Sequence, residues 1–113
     1  MENFGNNKIW PTDEGQLYKA ILQLKTVGEC FSFFRDLCTP EEIRAMKERW
    51  RLAQLLDNEK ETLSYREISA KTGASIATIG RVARFLKQEN YHGYRLVLDR
   101  QKESKEGSND NAA

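Results

Sequence analysis

Three short segments of this chain share one form: Thr26-Val27-Gly28-Glu29, Thr39-Pro40-Glu41-Glu42 and Ser64-Tyr65-Arg66-Glu67. In each, a hydroxyl residue is followed three places on by a glutamate. The hydroxyl can accept from the backbone N–H of the glutamate, and the carboxylate can reach back to the N–H of the first residue, so two orphan donors of a helix start are satisfied at once. Each segment therefore predicts a helix N-terminus. Three such starts in 113 residues leave little chain for a sheet. No alternating apolar–polar run is sustained anywhere, and only two prolines occur, so the fold class expected is all-α.

Apolar spacing fills in the helices. Leu17, Ala20, Ile21 and Leu24 recur at helical intervals behind Thr12-Asp13-Glu14, which predicts a first helix over 13–26. The first box opens a helix over 28–37 that is dense in aromatics (Phe31, Phe33, Phe34) and suited to a core or a dimer interface. Pro40 fits the first helical position after Thr39, and Ile43, Met46, Trp50, Ala53 and Leu55 or Leu56 make an apolar stripe to about 56. Asp57-Asn58-Glu59-Lys60-Glu61 is a polar link. Helices over 65–71, 76–88 (capped by Ser75) and 91–103 (capped by Asn90) follow. Residues 1–11 are expected as a flexible arm, 12–103 as one helical domain, and 104–113 as a disordered polar tail.

Several classes are excluded or disfavoured. The mean hydropathy is -0.72, and no run approaches the ~18 apolar residues of a membrane span. The first seven residues have neither a basic nor an apolar signal-peptide region, so a cytoplasmic location is expected. Cys30 and Cys38 on one helix would stand about 12 Å apart, too far for a disulfide. Two thiols and one histidine, His92, make no usual structural zinc site. No metal site and no cofactor are expected. His92 is isolated, Glu41 and Glu42 are ordinary first-turn acids, and no Gly-rich loop follows a strand, so no enzyme chemistry is indicated.

The net charge of +1 hides an uneven distribution. Residues 62–100 hold 7 Lys/Arg against 3 Asp/Glu, whereas residues 1–61 hold 9 against 11. The basic stretch contains a helix, a turn with Gly73, and a second helix, which is the helix-turn-helix pattern, spanning 64–88. Ile68 and Ala70 are expected inward on the first helix, and Ile76, Ile79 and Val82 or Ala83 on the second. A helix of this kind fits the major groove, with its N-terminal residues at base edges. Ser75, Ala77, Thr78 and Gly80 are small enough for close approach there. Arg66 stands where it can reach a guanine, and Lys71, Arg81, Arg84 and Lys87 supply positive charge for phosphates.

Thr39-Pro40-Glu41-Glu42, Arg49, Ser64-Tyr65-Arg66-Glu67-Ile68 and the run Gly73-Ala74-Ser75-Ile76-Ala77-Thr78-Ile79-Gly80-Arg81 together resemble the Trp repressor family, in particular its YerC/YecD-type group. The resemblance implies a six-helix all-α chain that forms an intertwined homodimer. It implies a DNA-binding transcriptional regulator, a repressor on a palindromic operator of double-stranded DNA, with the two heads roughly 34–36 Å apart. It places Arg66, Ile76, Ala77, Thr78 and Gly80 at base edges and Lys87 near a phosphate.

The resemblance also implies a tryptophan pocket in which an indole lies between two arginines. Arg49 and Arg81 match those arginines, and Thr39 matches a wall residue. The glycine expected after the second arginine is Val82, the serine expected four places after it is Phe85, and two leucines before the threonine are Asp36 and Cys38. Phe85 removes a hydroxyl and adds a ring, leaving a bound amino acid's charged end poorly satisfied. The expectation is a pocket filled from within, and regulation without tryptophan as corepressor. A different small-molecule effector, and a helix-turn-helix that docks on protein instead of DNA, remain as alternatives.

Overall fold

A computed structural model describes residues 12–58 and 62–108, with side chains through 105. The expected arm at 1–11, positions 59–61 of the polar link and the tail beyond 108 lie outside the described residues. Six helices follow in order: α1 (Thr12–Ile21), α2 (Val27–Leu37), α3 (Pro40–Leu56), α4 (Tyr65–Thr72), α5 (Ile76–Lys87) and α6 (Gly93–Ser108). Among the described residues there is no strand, and no helix is long and apolar enough to cross a membrane.

Two of the three capping boxes form in full, and the first forms only its hydroxyl half. Glu29, Glu42 and Glu67 donate their backbone N–H to Thr26, Thr39 and Ser64 at 3.0, 3.1 and 3.1 Å. The reciprocal bonds from the backbone of Thr39 and Ser64 to the glutamates are 2.8 Å each. In the first box the carboxylate of Glu29 reaches one residue further back, to the N–H of Lys25 at 2.8 Å.

The helices group into two compact units, the first ending at Arg44 and the second beginning at Ala45. In the first unit, neither α1 nor α2 has a buried residue. Val27, Leu22 and Phe31 are 87%, 78% and 61% exposed. Phe33 and Phe34 meet edge to face at 5.5 Å. Cys30 and Cys38 are free, half-buried thiols.

The second unit has a core of Leu52 and Ala53 from α3, Ile68 from α4, Ala74 from the turn, and Ile79 and Val82 from α5. Ala83, Leu86 and Leu98 are also buried. Leu52, Ile68, Ile79 and Val82 are at most 1% exposed, so each contributes about 1.5–3 kcal/mol by leaving water.

Four expectations need correction. Helix α1 stops at Ile21, not 26, because Gln23 and Leu24 donate to carbonyls only three residues back, and the chain tightens into a 3₁₀-like end. Helix α6 starts at Gly93, not 91. His92 takes φ +59, a left-handed conformation outside the helix, and its carbonyl accepts the first helical bond, from Leu96. The same helix continues to Ser108, past the expected stop at 103. Finally, Ala70 and Ile76 are exposed. Ala70 lies two residues from Ile68, about 200° around the helix. Ile76 opens α5 beside its cap, 51% exposed.

Candidate nucleic-acid interface

The turn between α4 and α5 is closed by side chains. Gly73 takes φ +84, a left-handed value that suits glycine, and donates its N–H to the Ser69 carbonyl at 2.8 Å. The Thr72 hydroxyl donates to the Ile68 carbonyl at 2.8 Å and accepts from the Ala74 N–H at 3.1 Å. The Ser69 hydroxyl donates to the Ala74 carbonyl at 2.8 Å. Ala74 is 2% exposed, so its polar backbone would be costly without these partners. Sequence reasoning places Thr72 in the turn but misses the bonding role of its hydroxyl, and misses Ser69. Hydroxyl residues flanking a Gly-containing turn were the available signal.

Ser75 then caps α5. Its hydroxyl accepts from the Thr78 N–H at 3.1 Å and donates to the Thr78 hydroxyl at 3.0 Å. At 100° per residue, Ile79, Val82, Ala83 and Leu86 fall together and form the buried face. Ile76, Ala77, Gly80, Arg81, Arg84 and Lys87 fall in the opposite arc, roughly 140° wide. All of these are exposed except Gly80, which is half-buried. A Cβ on Gly80 would lie 4.0 Å from Cε2 of Tyr65. Thr78 is half-buried at the edge of the arc, and Arg66 is exposed on the first turn of α4.

The basic side chains separate into two groups. The Arg84 guanidinium pairs with Glu89 at 3.4 Å. Arg81 and Arg84 place their guanidinium carbons 4.5 and 5.2 Å from the Phe85 ring centroid, within cation–π range. Arg66, Lys71 and Lys87 form no ion pair among the described residues.

Beside this head lies a cleft of about 310 Å³ lined by Arg49, Arg81, Val82, Phe85, Tyr91, Gly93 and Tyr94. Four of the five expected pocket residues meet here. Thr39 belongs to the first unit, where it caps α3. Val82 is 1% exposed and serves chiefly as core. Phe85 stacks on Tyr91 at 6.4 Å with an interplanar angle of 15°, and Tyr94 lies 6.3 Å from Trp50. Tyr91 and Tyr94 were not anticipated. Their spacing on either side of Gly93 was the only trace of them in the sequence.

A charged cluster holds the end of α3 to α6. Arg95 donates to both carboxylate oxygens of Asp57 at 2.9 Å and also pairs with Asp99. Lys102 reaches Asp57 at 3.1 Å. The hydrogen bonds from Arg95 hold the Asp57 carboxyl below its ordinary range, and Lys102 adds to the effect. Asp57 in turn, with Asp99, raises the Arg95 guanidinium above its own.

The family described as Trp repressor protein matches residues 14–102. YerC of Bacillus subtilis (strain 168), an uncharacterised protein, is 44% identical over 98 residues, which cover 87% of this chain and 90% of that one. The crystal structure of a TrpR-like protein from Eubacterium eligens ATCC 27750 superposes with a TM-score of 0.73 at 42% identity, covering 86% of this chain and 96% of that chain. A candidate Trp repressor from Staphylococcus aureus gives 0.74 at 36% identity, over 83% and 90% of the two chains. The six-helix order, the helix-turn-helix at its centre and these matches lead to one assignment: the chain belongs to the Trp repressor family.

Proposed function

We propose that this protein is a sequence-specific DNA-binding transcriptional regulator, a repressor, that binds a palindromic operator as a homodimer and does not use tryptophan as a corepressor. One observation carries the reading most. Helix α5 opposes a fully apolar buried face with an arc that carries Ile76, Ala77 and Gly80 toward its N-terminal end and is basic further on. Small residues let backbone and side chains approach base edges, and basic residues further along hold phosphates. Family membership supports the same reading.

Dimerisation is supported by what α1 and α2 leave uncovered. Contiguous exposed apolar surface on a monomer marks an interaction site, and two helices with no buried residue gain most from a second copy. Independence from tryptophan is supported by Phe85, whose ring lies against Arg81 where a free ligand's ring would compete with it. A second reading, a regulator answering to another small molecule, is favoured by the cleft volume that remains next to Arg49 and Tyr94.

The test is selection of bound duplexes from a random DNA pool, with and without tryptophan. Enrichment of one palindrome equally in both pools is the expected result. Enrichment only with tryptophan would overturn corepressor independence. No enrichment in either pool would turn attention to a different effector or to a protein partner.

A further inference from the structure

We infer, building on the DNA-binding reading, that Tyr65 is a DNA-contacting residue, its phenol hydroxyl donating a hydrogen bond to a backbone phosphate while the missing side chain at Gly80 leaves room beside its ring. Tyr65 is the first residue of α4, fixed in place by the Ser64–Glu67 capping box. The core contact of α4 comes from Ile68, so the helix does not need an aromatic residue at 65 to pack. The Tyr65 ring is nevertheless large and 42% exposed. A Cβ added at Gly80 would lie 4.0 Å from its Cε2, so the ring edge stands just beyond the space a side chain at 80 would take.

Gly80 sits on the exposed arc of α5, one turn beyond Ile76 and Ala77. The ring therefore extends that arc sideways, from the recognition helix to the start of α4. Any larger residue at 80 would meet the ring edge. A phenol has an apolar body and a polar tip, which suits the border between a dry groove contact and the charged backbone. Among the described residues the hydroxyl has no hydrogen-bond partner. Tyrosine is one of the neutral side chains that donate to phosphate oxygens, and such contacts fix register without reading sequence. Arg66, next in the chain and exposed, is the neighbouring residue on the same first turn that addresses a base.

The experiment compares the full-length protein with Tyr65→Phe, which keeps the ring and removes one oxygen. Affinities are measured on the duplex recovered by selection and on a random duplex of equal length, across a salt series. Tyr65→Phe is expected to bind both duplexes about tenfold more weakly, as for loss of a hydrogen bond to a charged group. Its salt dependence should match the wild type, because a neutral donor displaces no counterion. Its melting temperature should be unchanged. Lys87→Ala in the same series should weaken binding and flatten the salt dependence. Wild-type affinity in Tyr65→Phe, alongside a weakened Lys87→Ala, overturns the inference and leaves DNA binding intact. A loss confined to the selected duplex overturns the phosphate assignment. Failure of the wild type to bind either duplex overturns the DNA reading and this contact with it.

Discussion

The guanidinium carbon of Arg81 lies 4.5 Å from the ring centroid of Phe85, four residues further along the same helix. Tyr91 stacks on that ring as well. An arginine that the family resemblance assigns to an indole is thus engaged by a side chain of its own helix. The contact is local on α5, so it needs no ligand to form. A free aromatic amino acid would have to displace Phe85 to use Arg81.

Replacing Phe85 by serine separates these possibilities. The variant loses the cation–π contact and the stack on Tyr91, and a stability loss of about 1–3 kcal/mol is expected. It also restores the hydroxyl that the resemblance associates with a ligand's polar end. L-tryptophan at millimolar concentration should leave the melting temperature of the wild type unchanged and raise that of the variant, since a ligand that binds only the folded state stabilises it. A rise in the wild type would show that the cleft accepts tryptophan with Phe85 in place.

What the sequence made legible was mostly local. A capping box joins residues three apart, so Ser64 and Glu67 can be read as a unit before any fold is known. The buried face of α5 follows from Ile79, Val82 and Leu86 at helical spacing. The hydroxyl network of Ser69 and Thr72 was harder, because it needs the turn geometry to bring Ala74 within reach. Leu52, fully buried, lies about 100° around α3 from Ala53, outside the stripe assigned to the helix, because the buried face there is wide enough to take both. The cleft needed Tyr91 and Tyr94 beside Arg49, and the Asp57–Arg95 pair joins residues 38 apart. Neither of these follows from periodicity. The pairing of Arg84 with Glu89 likewise follows from no charge count.

The two glycines of the head should respond oppositely to alanine. Gly73 has φ +84 and nothing within 4 Å of an added Cβ, so Gly73→Ala meets no clash and the penalty is purely conformational, about 1–2 kcal/mol. Gly80 is helical, and its Cβ would touch only the Tyr65 ring at 4.0 Å. Gly80→Ala should leave stability unchanged or raise it by up to about 1 kcal/mol, yet weaken DNA binding by holding α5 off the groove. Urea denaturation and duplex titration on both variants check this. A Gly80→Ala protein that binds DNA at wild-type strength would remove the close-approach role of position 80.

The Asp57 cluster predicts a dependence on pH. Its carboxyl is held below the ordinary range chiefly by Arg95 and then by Lys102. A depressed folded-state value means the cluster stabilises the fold above the unfolded carboxylate's value of about 3.9, and that this is lost as pH falls through the lower folded value. The side chain of Asp57 is 12% exposed, but those of Arg95 and Lys102 are 36% and 51% exposed, so solvent screening reduces the effect. Asp57→Asn should cost about 1–2 kcal/mol at pH 7. The gap between wild type and variant should close as pH is lowered from about 5 toward 2. Denaturant titrations at several pH values measure it, and a gap that stays constant would assign the cost to packing instead of charge.

The uncovered faces of α1 and α2 make the oligomeric state the remaining test of the proposed function. Phe31 is 61% exposed and lies on a helix with no fully buried residue. Charging it should do little to a monomer and much to an interface between copies. The wild type is expected to sediment at twice the 13.1 kDa of one chain, with a melting temperature that rises with protein concentration, since association stabilises the folded chains by mass action. Phe31→Glu should sediment at the single-chain mass, lose that concentration dependence and bind a palindromic duplex far more weakly than the wild type, while a half-site duplex distinguishes the two proteins less. A wild type that sediments as a monomer across the micromolar range would overturn the dimeric reading, and with it the expectation of a palindrome.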